Sequence, residues 1–125
     1  MKVVVTGGAG FIGSHLVDAL LALNHEVTVL DNFSTGRAEN LAHVRSKIQL
    51  HECDISINGP WTQLVKKDDW VFHLAALADI VPSIQQPGPY FRANVDGTFN
   101  LLQACTTAGV ARFVYAASSS CYGIP

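Results

Sequence analysis

The stretch Gly7-Gly8-Ala9-Gly10-Phe11-Ile12-Gly13 carries the clearest chemistry in this chain. It holds two overlapping patterns: Gly8, Gly10 and Gly13 fit G-x-G-x-x-G, and Gly7, Gly10 and Gly13 fit G-x-x-G-x-x-G. Between a strand and a helix, such glycines do three things. One permits a tight turn, one lets the main chain approach a pyrophosphate, and the last brings helix against strand. The helix start then offers free N–H groups and a partial positive charge to an anion. Glycine triplets also occur in purely structural turns, so a second feature is needed. Asp31 supplies it, 18 residues after Gly13 at the end of the next apolar run. A carboxylate there can accept from the adenosine ribose hydroxyls. Gly7, Gly10, Phe11, Ile12, Gly13 and Asp31 are therefore read as a dinucleotide site. An acid at that position repels a 2′-phosphate and Arg37 stands further down the loop, so NAD is expected rather than NADP.

Other reactive side chains are sparser. Ser118-Ser119-Ser120 follows an apolar run and reads from spacing alone equally as a polar loop or as a hydroxyl site. His73, at the end of another run, reads as a packed residue rather than a base. Asp54 fits either a helix cap or a ligand contact. Cys53, Cys105 and Cys121 form no C-x-x-C and have no histidine at ligand spacing, so no metal is expected and the thiols read as inert and buried.

Alternating elements must position these groups. Lys2–Thr6 is a β-branched run ending at glycines, the mark of a buried parallel strand. Phe11–Leu23 reads as a helix with Ile12, Leu16, Ala19, Leu20 and Leu23 on one face, closed at Asn24. Glu26–Leu30 is a second strand, Asn32–Asn40 a polar loop, Lys47–His51 a third strand and Trp61–Val65 a short helix. Asp69–Leu74 is a fourth strand. Pro82, Pro87 and Pro89 break the next region before a long helix from Tyr90 to Ala108, which Gly109 ends, and Arg112–Ala116 is a fifth strand. Strands alternating with helices predict an α/β fold with a doubly wound parallel sheet.

Composition agrees. Apolar residues make up 49% of the chain and charged ones only 14%, which suits a sheet covered on both faces. A net charge of −2 without a basic run excludes a nucleic-acid partner. The apolar run at Met1–Gly7 is too short for a signal peptide, and no stretch approaches a membrane span. A cytoplasmic protein with reduced thiols is expected.

Six segments in order resemble the extended short-chain dehydrogenase/reductase family, in its nucleotide-sugar epimerase and dehydratase branch. Thr6 to Leu16 is similar to its opening signature. Asp31-Asn32-Phe33-Ser34-Thr35-Gly36 resembles its adenosine-ribose loop, and Cys53-Asp54-Ile55 the segment that brackets the adenine. His73-Leu74-Ala75-Ala76 resembles the fourth-strand motif whose backbone lies along the cofactor, with Leu77-Ala78 following it. Asn94-Val95-Asp96-Gly97-Thr98 resembles the helix motif that supports the site, and Ala117 to Gly123 the end of the fifth strand.

The resemblance implies a Rossmann fold over residues 1–125, truncated before the C-terminal substrate domain, with NAD as cofactor. The cofactor residues it adds are Asn32, Ser34, Thr35, Gly36, Asp54, Ile55, Leu74, Ala75, Ala76, Ala78 and Asn94. Ser118 takes the catalytic serine's place and Ser120 that of an auxiliary hydroxyl. A UDP-sugar substrate, 4-epimerase chemistry through a transient 4-keto sugar and a homodimer of the full-length protein are further implications. Dehydratase or reductase chemistry on the same scaffold, and a non-catalytic NAD-binding module, are the alternatives. The family's Tyr-x-x-x-Lys pair has no counterpart here: the tyrosines are Tyr90, Tyr115 and Tyr122, and Asn94 and Ser119 stand four beyond the first two. A piece of a longer protein, inactive by itself, is therefore expected rather than a degenerate chain.

Overall fold

The computed structural model describes residues 1–124, so Pro125, the last residue of the expected domain, lies outside the described residues. Five strands form one parallel sheet: β1 (Lys2–Thr6), β2 (Glu26–Asp31), β3 (Ile48–Glu52), β4 (Trp70–His73) and β5 (Arg112–Tyr115), in the order β3-β2-β1-β4-β5. The chain winds outward from β1 to β3, then returns to the other side of β1 for β4 and β5. The doubly wound α/β fold expected from the alternation is what forms. The reversal of winding leaves a crevice at the carboxyl ends of β1 and β4, where open α/β sheets bind their ligands.

Alternation along β1 explains the two layers. Val3 and Val5 point to one face and pack with Val17, Leu20, Val27, Val29, Leu41, Val44 and Ile48. Val4 points to the other, among Leu30, Trp61, Val65, Val71, Leu101 and Ala104. Each of these three β1 valines is at most 2% exposed, and burying such a side chain contributes about 2 kcal/mol.

The first face is covered by helix α1 (Phe11–Ala22) and a 3₁₀ helix (Ala38–Lys47). The second is covered by a 3₁₀ turn (Pro60–Leu64) and by the end of a long helical stretch. After a short helix α2 (Ile80–Gln85), that stretch comprises α3 (Pro87–Phe91), a π-helical turn (Arg92–Asp96) and α4 (Gly97–Ala108). The proline-rich start expected to be broken is thus already helical from Pro87, because Pro87 and Pro89 sit in its first turn, where their missing N–H is harmless.

Two further readings need correction. The buried face of α1 is Gly13, Ser14, Val17 and Leu20; Ile12 and Leu23 are exposed, and so is Ala19. Ile12 and Leu23 stand at the helix ends, where periodicity misassigns residues, and Ala19, two residues from Val17, lies on the opposite side of the helix. The loop expected up to Asn40 ends sooner, since Ala38 begins the 3₁₀ helix that buries Leu41 and Val44. Asn24 does close α1 in the left-handed region (φ 61°). Among the described residues no helix is long and apolar enough to cross a membrane.

Candidate functional site

Gly7, directly after β1, adopts a left-handed φ of 71°. A Cβ on it would lie 2.7 Å from the Ala75 backbone nitrogen, and a Cβ on Gly13 would lie 2.1 Å from the Gly7 carbonyl oxygen. Both positions therefore exclude any side chain. Gly10 donates its N–H to the Gly7 carbonyl (3.2 Å), and the Ser14 N–H on the Gly10 carbonyl (3.0 Å) is the first helical bond. The N–H groups of Phe11, Ile12 and Gly13 precede that bond and have no acceptor inside the helix. Gly10, the cap residue, offers no side chain to them, and the first turn carries no acid. The positive end of α1 is left open. Gly8 instead faces Val29, whose side chain would stand 2.6 Å from a Cβ at that position. The G-x-x-G-x-x-G reading therefore describes the turn better than G-x-G-x-x-G.

Asp31 ends β2 beside this turn and is only 7% exposed. Its Oδ2 accepts from the Ala9 N–H (2.9 Å) and its Oδ1 from the Phe33 N–H (2.8 Å). A carboxylate has about four acceptor sites, so lone pairs remain for a ligand. The loop behind it is folded by the Asn32 side chain accepting from the Ser34 N–H (3.0 Å).

A cleft of about 310 Å³ joins these parts, within the range of small-molecule sites. Gly7, Gly10, Phe11, Ile12 and Gly13 form its floor. Asp31, Asn32, Ser34, Thr35 and Gly36 form one wall, Asp54 and Ile55 another, and Leu74, Ala75 and Ala76 a third. Four assigned residues stand outside these walls: Ala78, Asn94, Ser118 and Ser120. Five lining residues were not foreseen: Leu30, Cys53, Leu77, Ala93 and Ala116. Leu30, Cys53, Leu77 and Ala93 each adjoin a residue that was assigned, which was the available signal; Ala116 carries none.

Asn94 acts on the cleft from behind. Its Oδ1 accepts from the Leu77 N–H (2.8 Å) and its Nδ2 donates to the Leu77 carbonyl (2.9 Å). A side-chain amide thus pairs with one residue of the wall as a neighbouring strand would. Ser118, exposed beyond β5, accepts from the Ser120 N–H (3.1 Å), which leaves its own hydroxyl hydrogen free to donate. The cysteines divide differently from expectation: Cys105 is buried, Cys53 half-buried in the cleft and Cys121 exposed. Burial, with Asp54 and Asp31 nearby, pushes the Cys53 thiol up to about 11, so it stays protonated.

His73 is 2% exposed, and desolvation lowers its pKa from 6.5 to about 4. Thr98 donates its hydroxyl to the Asn94 carbonyl (2.6 Å) and so accepts from His73 Nε2 (2.8 Å). Nδ1 is then the acceptor for the Thr6 hydroxyl (2.6 Å), whose oxygen takes the Leu74 and Ala75 N–H groups (both 3.2 Å). Only the neutral Nε2–H tautomer satisfies every member, so His73 is a structural link and not a base. Between pH 6.5 and 4 the unfolded histidine binds a proton that the folded one refuses. Its contribution is complete above pH 6.5 and lost as pH falls toward 4, up to about 3 kcal/mol. Urea unfolding across that window should show the His73→Gln variant losing one proton's worth of pH dependence. An unchanged slope would refute the assignment.

A doubly wound sheet with a glycine turn, an open helix start and an acid at the end of β2 defines a dinucleotide-binding domain. The profile of the NAD dependent epimerase/dehydratase family matches residues 3–125, and the chain belongs to that family. It is 43% identical over 130 residues to UDP-glucose 4-epimerase of Mycolicibacterium smegmatis, spanning all of this chain and 41% of that protein. It is 41% identical over 125 residues to UDP-glucuronic acid decarboxylase 1 of Arabidopsis thaliana, of which it spans 28%. Among solved structures, UDP-glucose 4-epimerase from Stenotrophomonas maltophila, with bound NAD and formylated UDP-arabinopyranose, superposes with a TM-score of 0.91 at 32% identity. That match covers 100% of this chain and 39% of the other. The chain thus spans well under half the length of these relatives.

Proposed function

We propose that this chain is the NAD-binding part of a nucleotide-sugar 4-epimerase acting on a UDP-hexose or UDP-N-acetylhexosamine. The observation that carries the cofactor reading is the convergence of the open α1 start, the side-chain-free cradle at Gly7 and Gly13, and the Asp31 carboxylate in one cleft. Phosphate oxygens would accept from the N–H groups of Phe11, Ile12 and Gly13, aided by the helix dipole. The spare lone pairs of Asp31 would accept from the adenosine ribose, with Asn32, Ser34, Thr35 and Gly36 closing that end. Asp54 and Ile55 would flank the adenine. The backbone of Leu74, Ala75 and Ala76, with Ala78 beyond, would run along the cofactor, held in place by Asn94.

NAD, when bound, supplies the hydride acceptor and donor that the sugar reaction needs. Ser118, through its free hydroxyl, would position the reacting sugar oxygen, with Ser120 beside it. The 125 residues contain no Tyr-x-x-x-Lys pair to move the proton, so by themselves they are expected to be inactive. A homodimer of the full-length protein also fits: Phe91, Val95, Phe99 and Leu102, four, four and three apart, are exposed on one side of the long helical stretch and suit a second copy.

The likeness to the decarboxylase supports a second reading. Oxidation at C4 of a UDP-uronic acid places a ketone β to the carboxylate, which then leaves as carbon dioxide. Incubating the natural full-length protein with UDP-glucose, UDP-N-acetylglucosamine and UDP-glucuronic acid, and identifying products by NMR, separates the two. The epimerase reading predicts the 4-epimer of a neutral sugar without release of carbon dioxide. Release from the uronic acid alone would establish the second reading, and turnover of none would overturn both.

A further inference from the structure

Ala9 is completely buried, and both of its peptide groups are committed to the opposite loop of the cleft. Its N–H goes to Asp31 Oδ2 (2.9 Å). Its carbonyl accepts from the Arg37 N–H (3.0 Å) and from the Asn40 side-chain Nδ2 (2.8 Å). A Cβ on Gly36 would sit 2.9 Å from the Ala9 methyl group, so loop 32–37 lies directly on this residue. Asn40 itself lines no part of the cleft. We infer that Asn40 is a positioning residue that locks the glycine turn and the Asp31 loop into a single rigid unit.

The physical route is short. In a trans peptide the carbonyl and the following N–H point in opposite directions. Fixing the Ala9 carbonyl toward Asn40 therefore fixes the Gly10 N–H toward Gly7, where it closes the turn that opens α1. Both lone pairs of that carbonyl are used, one by the main chain of the loop and one by Asn40. Removing the amide leaves the Arg37 bond as the only tie on this carbonyl, so the Ala9–Gly10 peptide gains freedom to rotate. The two halves of the site then lose their fixed spacing. The pyrophosphate and ribose contacts of one ligand must be made together, so the loss of spacing weakens them jointly.

This inference rests on the dinucleotide reading above, and its test keeps the two apart. In the natural full-length protein, amide hydrogen exchange without ligand reads the lock itself, and calorimetric titration with ADP reads its consequence. Asn40→Ala should speed exchange of the Arg37 amide and weaken ADP by about three- to tenfold, the worth of one hydrogen bond. UDP-sugar affinity, read on the same variant, should stay within about twofold, which a general loss of structure would not allow. Asn40→Asp, of equal size but without a donor and with a charge facing the carbonyl, should weaken ADP more than Asn40→Ala does. If both variants bind ADP within about twofold of the natural protein, or Arg37 exchange is unchanged, the inference is overturned. If the natural protein binds no ADP, the dinucleotide reading fails first and carries this inference down with it.

Discussion

Gly13→Ala should lower the thermal midpoint by about 10 °C and weaken NAD⁺ by at least about a hundredfold. The added methyl carbon would stand 2.1 Å from the Gly7 carbonyl oxygen and 2.8 Å from the Gly8 Cα. Every obstructing atom is main chain, so no rotamer change relieves the contact. Relief must come from pushing α1 away from β1, which opens the core around Val5, Val17 and Val29. It also moves the N–H groups of Phe11 and Ile12 off the positions a phosphate would occupy. Overpacking of this kind costs about 3 kcal/mol. Thermal unfolding and calorimetry on the one variant check both parts. A Gly13→Ala protein with natural stability and affinity would show that the close approach is not needed.

Asp31→Ala should be nearly as damaging to binding, by a different route. The substitution removes the ribose acceptor and orphans two backbone donors, the N–H groups of Ala9 and Phe33. Orphaned buried groups cost about 1–3 kcal/mol each, and Ala9 lies at the centre of the turn. NAD⁺ affinity is expected to fall by about a hundredfold or more. Discrimination adds a second readout. The natural protein should prefer NAD⁺ to NADP⁺ by at least about tenfold, because the carboxylate repels a 2′-phosphate. Asp31→Ala should bring the two close together. Tighter binding of NADP⁺ by the unsubstituted protein would overturn the ribose assignment.

These effects show what was legible in the residues themselves. The glycine turn and Asp31 could be read because their chemistry is local: short spacing in the chain becomes short distance in space. The parallel sheet could be read because β-branched runs alternate with amphipathic ones. The face of α1 was misread at Ile12 and Leu23, since both are apolar yet exposed, and Ile12 borders the cleft instead of the core. The lock on Ala9 was invisible, because Asn40 is 31 residues away and lies in a segment with no strong periodicity. The His73 link was equally hidden: it joins Thr6, at the end of β1, to Thr98 in α4. Ser118 and Ser120 were assigned through resemblance alone. Their place just beyond β5 follows from the apolar run before them, but their standing outside the cleft walls is something no spacing within the chain foretells.

The central claim is that open backbone amides at the start of α1 hold a diphosphate. A crystal structure of the natural full-length protein with NAD⁺ tests it most directly. The account predicts pyrophosphate oxygens within hydrogen-bonding distance of the Phe11 and Ile12 nitrogens and a ribose hydroxyl on Asp31. A cofactor bound elsewhere, or with its phosphates turned away from this helix, would contradict it.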